Sequence, residues 1–263
     1  MSYKTLSRLK NVVSSLGRGR FVLNVGCSEG YYDTWLMKRF SKVIGIDMNM
    51  NDLIVAKRRN PGTSYILASA AYLPFKEKVF DEVICVDVLE HVKEDSKAVF
   101  EIGRVLKKGK NLIVTVPNMN FPFSYDPVNR VLMMFGKKLP IGLWGFGHLR
   151  LYSEQSLKDI LSRNSFKVTG IRRMLHFFCG IFENYYLVNL LQPFTKHDSK
   201  NLDRFYHNKN TSDGGRSRLK ESLIEKNPPK ILTKIRDIIM SIDSFMFRES
   251  KKSLGLLAVA EKI

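Results

Sequence analysis

Cysteine is scarce in this 263-residue chain, and the three present, Cys27, Cys85 and Cys179, have no metal-binding or redox spacing. That excludes a disulfide-stapled scaffold and suits a reducing compartment. Cys27 and Cys85 fall in apolar strand-end segments, where a thiol packs as a small apolar side chain. The five histidines, His91, His148, His176, His197 and His207, lack close Cys/His pairing, so no metal is expected. Acidic residues are also few: 25 Asp and Glu stand against 43 Lys and Arg, a net charge of +18. The basic excess is spread over both halves of the chain, which reads less like a nucleic-acid footprint than a clustered patch would. Anionic surfaces, acidic ligands or plain solubility remain as its uses. The best apolar run, 175–191, is interrupted by Glu183, Asn184 and Asn189, which excludes a transmembrane helix. Met1 to Gly19 is polar and mildly basic, predicting a helix that leads into the first strand rather than a signal peptide. No internal repeat and no recognisable RNA-binding module occur. The expected location is cytoplasmic, with peripheral contact at the inner face of the membrane left open.

What is present centres on Asn24-Val25-Gly26-Cys27-Ser28-Glu29-Gly30, preceded by Phe21-Val22-Leu23. An apolar strand enters a glycine turn, then a helix-like segment, Tyr31 to Phe40. A second apolar strand, Val43-Ile44-Gly45-Ile46, ends on Asp47. In an α/β sheet this spacing places backbone N–H groups and a carboxylate at neighbouring strand ends, where the acid can accept hydrogen bonds from ribose hydroxyls. The third glycine of a dinucleotide fingerprint is missing, and Glu29 at the helix start would repel a pyrophosphate. A cationic, phosphate-free nucleoside cofactor suits the turn better.

Four ordered segments resemble the motifs of class I S-adenosylmethionine (SAM) dependent methyltransferases. Val22 to Gly30 is similar to the first, usually V-L-D-x-G-C-G-x-G. Ser69-Ala70-Ala71-Tyr72-Leu73-Pro74-Phe75 and Phe80 to Val92, which contains Asp87 and Leu89-Glu90-His91, resemble the third and fourth. Arg104 to Asn118 is similar to the segment around the fifth strand. The nearest branch is the one with quinone-biosynthesis and other small-molecule methyltransferases, of the methyltransferase type 11 kind. The resemblance implies SAM as cofactor, bound by Asn24, Gly26, Cys27, Ser28, Gly30, Asp47, Met48, Ser69, Ala70 and Asp87. Three positions depart from the pattern. Asn24 replaces an acid, Ser28 the middle glycine, and Ser69 an acid that often meets the adenine amino group. Asn and Ser accept hydrogen bonds but carry no charge, so weaker attraction for the cofactor is expected.

Strands are predicted at Phe21–Val25, Lys42–Asp47, Ser64–Ala68, Glu82–Asp87, Asn111–Val116, Phe166–Arg172 and Leu254–Glu261. Helices are predicted near Tyr31–Phe40, Asn51–Arg59, Asp95–Leu106 and Ser153–Arg163. The alternation implies an α/β, doubly wound, mostly parallel seven-stranded sheet. The family's Rossmann-like fold implies a last strand running antiparallel between the fifth and sixth. Ser153 with Gln155 and Ser156 reads as a helix N-terminus. The core is expected at 1–173 plus 254–263. A lid insertion, 119–147, carries Phe121, Phe123, Tyr125, Phe135, Trp144 and Phe146 and ends in His148-Leu149-Arg150-Leu151-Tyr152, similar to the family's H-x-R-x-[FY] stretch. A helical, basic insertion is expected at 174–253. Within it Ile231, Ile235, Ile238, Ile239, Ile242, Phe245 and Met246 form a helical apolar stripe. The stripe suits a membrane interface, a homodimer contact through 231–247, or packing within the chain.

The implied chemistry is methyl transfer from a sulfonium to a nucleophile, which rests mainly on positioning and desolvation. A base is needed only for a hydroxyl or a protonated amine. His91 and His148 are the candidates for it. A small or amphiphilic acceptor is expected, a lipid, quinone-like ring or lipid-linked sugar methylated on oxygen. An RNA or protein methyltransferase, or a non-catalytic SAM-fold binding subunit, is the alternative.

Overall fold

A computed structural model describes residues 3–120, 134–137, 148–174, 238, 242, 246, 250 and 253–263. In chain order these form α1 (Tyr3–Ser15), β1 (Gly19–Val25), α2 (Asp33–Leu36), β2 (Phe40–Asp47), α3 (Met50–Arg59), β3 (Ser64–Leu67), β4 (Phe80–Val86) and a 3-10 turn (Leu89–His91). Then follow α4 (Asp95–Val105), β5 (Leu106–Pro117), α5 (Glu154–Arg163), β6 (Phe166–Met174) and β7 (Gly255–Lys262). One seven-stranded sheet results, ordered β3-β2-β1-β4-β5-β7-β6. Strands β1 to β5 pair in parallel, and β7 runs antiparallel between β5 and β6, as expected.

The central strands are apolar at almost every position because both faces of the sheet are covered. Alternate residues serve opposite faces. Leu23, Val25, Val83, Cys85, Leu112, Val114, Leu256 and Ala258 pack with Val99 and Ile102 of α4 and Leu157 and Leu161 of α5. Val22, Ile84, Ile113 and Leu257 pack on the other face with Val12 and Leu16, together with Leu36 and Phe40. Helix α5 begins with reciprocal capping: Ser153 Oγ accepts from the Ser156 N–H, and the Ser153 N–H donates to Ser156 Oγ.

Two elements differ from expectation. The Tyr31–Phe40 helix is reduced to α2, Asp33–Leu36. The Trp35, Lys38 and Arg39 N–H groups reach back only three residues, to Tyr32, Trp35 and Leu36, so the turn tightens and buried Phe40 opens β2. Strand β5 starts at Leu106 rather than Asn111, since Leu106 pairs with Phe80 before the register shifts.

The expected insertions are rooted at one edge. Tyr152 donates its N–H to the Pro117 carbonyl at the end of β5, so 119–147 leaves and rejoins the sheet there. Gly255 pairs with both Pro117 and Met174, which places the ends of the 174–253 insertion at that same carboxyl edge. Buried Asn118 ties the two roots, its N–H donating to the Leu254 carbonyl and its amide to Ser253 Oγ. Of the expected aromatic lid, Phe121, Phe123, Tyr125, Trp144 and Phe146 lie outside the described residues; Phe135 is exposed. Of the apolar stripe, Ile238, Ile242 and Met246 are helical and exposed, while Ile231, Ile235, Ile239 and Phe245 lie outside the described residues. Among the described residues no helix is long and apolar enough to cross a membrane.

Glu82 is buried near the start of β4, where both carboxylate oxygens accept from the Gly17 N–H. Burial pushes its carboxyl up to about 7, against the opposing pull of the Gly17 N–H and the Arg39 and Lys110 charges. A carboxyl raised in the folded state stabilises while protonated, and that stability is lost as pH rises from the unfolded value towards 7. Comparing urea unfolding of wild type and Glu82→Gln should therefore show wild type losing roughly 3 kcal/mol relative to the variant between pH 4.5 and 7.5. A pH-independent difference would place the Glu82 charge elsewhere.

Candidate cofactor and methyl-transfer site

The strand order reverses between β1 and β4, the position where open α/β sheets bind ligands beyond their carboxyl ends. A cavity of about 170 Å³ lies there, lined by Arg8, Gly26, Cys27, Ser28, Tyr31, Tyr32, Val86 and Asp87. Its floor is the glycine turn. Gly26 sits at φ +67°, and a Cβ on it would meet Val88 Cγ2 at 2.2 Å, so only glycine lets the backbone pass between strand and cavity.

Ser28, where the family pattern has glycine, adopts φ +45°. That left-handed conformation is held from two sides. The Ser28 N–H donates to Asp47 Oδ2 at 2.8 Å, and its hydroxyl donates to Asp52 at 3.0 Å. Asp47 Oδ1 also accepts from the Asn49 N–H at 2.9 Å, so this carboxylate pins the turn to the start of α3. Opposite, Asp87 is at φ +53°, its Oδ1 accepting from the Thr115 hydroxyl and its Oδ2 paired with Arg8 of α1. A residue held in this region needs such over-determination.

Beneath the turn lies a polar network. The Asp33 carboxylate, with no solvent exposure, accepts from the Asn24 amide at 2.7 Å and the Tyr65 hydroxyl at 2.6 Å. The Asn60 amide donates to the Gly30 carbonyl, and Thr34 donates to Asn60. Burial pushes the Asp33 carboxyl up, against its two hydrogen bonds. Glu29 is held by the Tyr31 hydroxyl and by Arg59, whose guanidinium stacks 4.0 Å from the Tyr31 ring. Its charge is therefore already paired, which weakens the expectation that Glu29 by itself selects against phosphates.

Of the residues expected to hold the cofactor, Gly26, Cys27, Ser28 and Asp87 line the cavity. Asp47 braces its floor, and Met48 beside it is exposed. Asn24 and Gly30 belong to the network below. Ser69 and Ala70 follow β3, with Ser69 Oγ accepting from the Ala71 N–H, and are not part of the cavity wall. Burial, then the charges of Asp33 and Asp47, raise the Cys27 thiol far beyond its ordinary value, so it packs rather than reacts. Arg8 joins the wall without a sequence signal, since α1 comes into place only through its apolar face, while Tyr31 and Tyr32 directly follow the glycine turn.

His91 and His148, 57 positions apart, stand with ring centroids 4.9 Å apart. The H-x-R-x-[FY] stretch accounts for the meeting. Arg150 pairs with Asp95 and reaches the Lys93 carbonyl, the Tyr152 hydroxyl donates to Asp95 at 2.7 Å, and the Leu149 N–H donates to the Glu90 carbonyl at 2.8 Å. Glu90, between them, is 1% exposed. Burial, then the charge of Asp87, pushes its carboxyl well above the usual range.

The glycine cradle and the strand-end carboxylates fit a nucleoside carrying a cationic sulfonium. Residues 23–114 match the methyltransferase domain family. An S-adenosylmethionine-dependent methyltransferase of Mycolicibacterium smegmatis, described as probable, is 27% identical over 158 residues, 60% of this chain and 56% of that one. A ubiquinone biosynthesis O-methyltransferase of Alkalilimnicola ehrlichii is 34% identical over 125 residues, 45% of this chain and 50% of that one. The solved S-adenosylmethionine-dependent methyltransferase of Mesorhizobium loti superposes with TM-score 0.57 at 14% identity, covering 99% of this chain and 100% of that one. The chain thus spans about half the length of the curated relatives it matches. Residues 23–114 thus match a methyltransferase domain, and the relatives of that part of the chain include S-adenosylmethionine-dependent methyltransferases.

A Cβ at Gly30 would lie 2.7 Å from the Tyr65 hydroxyl and 2.9 Å from both Asn60 Nδ2 and Asp33 Oδ2, at φ +71°. Gly109, at φ +73°, has nothing within 4 Å of that position. Gly109→Ala should therefore cost only the left-handed backbone penalty, about 1–2 kcal/mol. Gly30→Ala should cost about 1–3 kcal/mol more, because it also crowds the Asp33 network. Urea unfolding of both variants checks this; equal losses would mean the network yields freely.

Proposed function

We propose that the chain transfers a methyl group from S-adenosylmethionine to a hydroxyl of a small or amphiphilic acceptor, such as a lipid, a quinone-like ring or a lipid-linked sugar. The observation that carries the reading is the cavity at the β1–β4 reversal, floored by Gly26 and Ser28 and flanked by the Asp47 and Asp87 carboxylates. When bound, the cofactor supplies an electrophilic methyl on a good leaving group. Within the chain, Asp47 offers its remaining lone pairs to ribose hydroxyls. Asp87 and Arg8 present paired charges that can meet an ammonium and a carboxylate. The neutral Tyr32 phenol, raised first by burial and then by Asp87, helps exclude water. His91 and His148 stand together as the imidazoles available to act on the acceptor's hydroxyl.

The choice of acceptor is supported by the similarity to a ubiquinone biosynthesis O-methyltransferase. Both insertions root at the cavity's edge of the sheet, so we read 119–147 as the acceptor-facing cover and 174–253 as a peripheral unit. The exposed Ile238, Ile242 and Met246 suit a membrane or subunit contact for that unit.

Calorimetric titration should give a saturable 1:1 isotherm with S-adenosylmethionine, weakened roughly tenfold or more by Asp47→Ala, the scale of losing a hydrogen bond to a charged group. Methyl-labelled cofactor, offered separated lipid, metabolite, RNA and protein fractions, should then label the lipid or metabolite fraction. Label confined to RNA or protein would overturn the acceptor class. Binding without label in any fraction would favour a non-catalytic binding subunit.

A further inference from the structure

Glu90, His91 and His148 present one ligand atom each, all within 4.8 Å of one another. Ligand atoms about 2.1 Å from a shared ion stand roughly 3–4 Å apart, so the three need draw in only slightly to close on one. Glu90 Oε2 is buried and has no hydrogen-bond partner among the described residues. A carboxylate oxygen in that state is costly and calls for a cation or a donor. Among the described residues no donor reaches it. His91 is exposed while Glu90 and His148 are buried, which leaves one open side through which an ion and a further ligand could enter. The group is also fixed in advance: Glu90 and His91 lie on the 3-10 turn after β4, and the Arg150 and Tyr152 contacts with Asp95 hold the His148 segment against it.

We propose that Glu90, His91 and His148 bind one divalent first-row transition-metal ion, which holds the acceptor's hydroxyl oxygen beside the cofactor cavity. Two imidazoles and a carboxylate, without sulfur, suit manganese, iron, cobalt or zinc rather than soft monovalent ions. The site adjoins the cavity, because Glu90 lies on the 3-10 turn that follows Asp87 of the cavity wall. The two histidines then act together as ligands instead of competing as bases. A bound cation lowers the pKa of an oxygen it touches, as it does for water. The acceptor's O–H proton leaves to solvent, an oxygen electron pair forms the new O–C bond, and the pair of the breaking C–S bond stays on sulfur. The chemical role rests on the methyl-transfer reading; ion binding does not.

The test uses the full chain, stripped with chelator and titrated with Mn²⁺ while the free-ion electron paramagnetic resonance signal is followed. One ion per chain is expected. Glu90→Gln, His91→Ala and His148→Ala should each weaken it at least tenfold, with S-adenosylmethionine affinity changed less than about twofold as evidence of folding. Titrated Co²⁺ should give a visible absorption band that His91→Ala alters; since His91 is exposed, that variant keeps the test valid if a buried one misfolds. No saturable single-ion binding of Mn²⁺ or Co²⁺ in wild type, or wild-type binding in His91→Ala, would overturn the site. Loss of S-adenosylmethionine binding by wild type would instead overturn the methyl-transfer reading and leave the ion titration standing.

Discussion

The fully buried Asp33 carboxylate sits under the turn that floors the cavity, and the turn can hold its shape only while that charge is hydrogen-bonded. An unpaired carboxylate in such a place costs several kcal/mol, and no Lys or Arg reaches it among the described residues. Two neutral donors, Asn24 and Tyr65, do the work. This changes the meaning of the departure at position 24. An acid there would face Asp33 at hydrogen-bond distance and one of the two would have to take up a proton. Asn24 is therefore less an erosion of the first motif than the complement of an acid nine residues further on. The negative charge has moved within the turn, from the strand to the start of α2.

Charge is handled similarly on both sides of the cavity. Asp47 and Asp87 stand at the ends of the β1 neighbours β2 and β4, and each is fixed by backbone or hydroxyl donors on one oxygen or both. Ser28 and Asp87 accept left-handed backbone as part of this arrangement. Such strain is affordable only because the parallel strands beneath are buried on both faces and do not shift. The rigid sheet thus lets two carboxylates and a glycine turn converge with few of them belonging to the same element.

Much of this was legible in the sequence. Parallel strands buried on both faces leave continuous apolar runs, so all seven could be read, and Gly26, Ser28 and Asp47 announced the turn and its acid. Capping by Ser153 was equally plain, because that interaction is local. What escaped depended on packing between distant elements. Arg8 reaches Asp87 across 79 positions, carried by a helix whose only signal was amphipathic. The brevity of α2 is set by Phe40 being needed at the start of β2. The meeting of Glu90 and His91 with His148 was not readable from short spacings, since the two imidazoles are 57 positions apart and the connection is made by Arg150 and Tyr152 closing on Asp95.

Asn118 shows how the same edge is used twice. Its backbone and side chain join the end of β5 to Ser253 and Leu254, so the chain before the first insertion and the chain after the second meet at one buried amide. From that point 119–147 departs, to rejoin the sheet edge at Tyr152, and 174–253 returns into β7. Both roots adjoin β5, whose Thr115 positions Asp87. The roots of the insertions and the Asp87 carboxylate are consequently anchored on neighbouring strands of one sheet. Additions to the fold can vary in length and character at this edge without disturbing the cavity floor, which depends on β1, β2 and the Asp33 network instead.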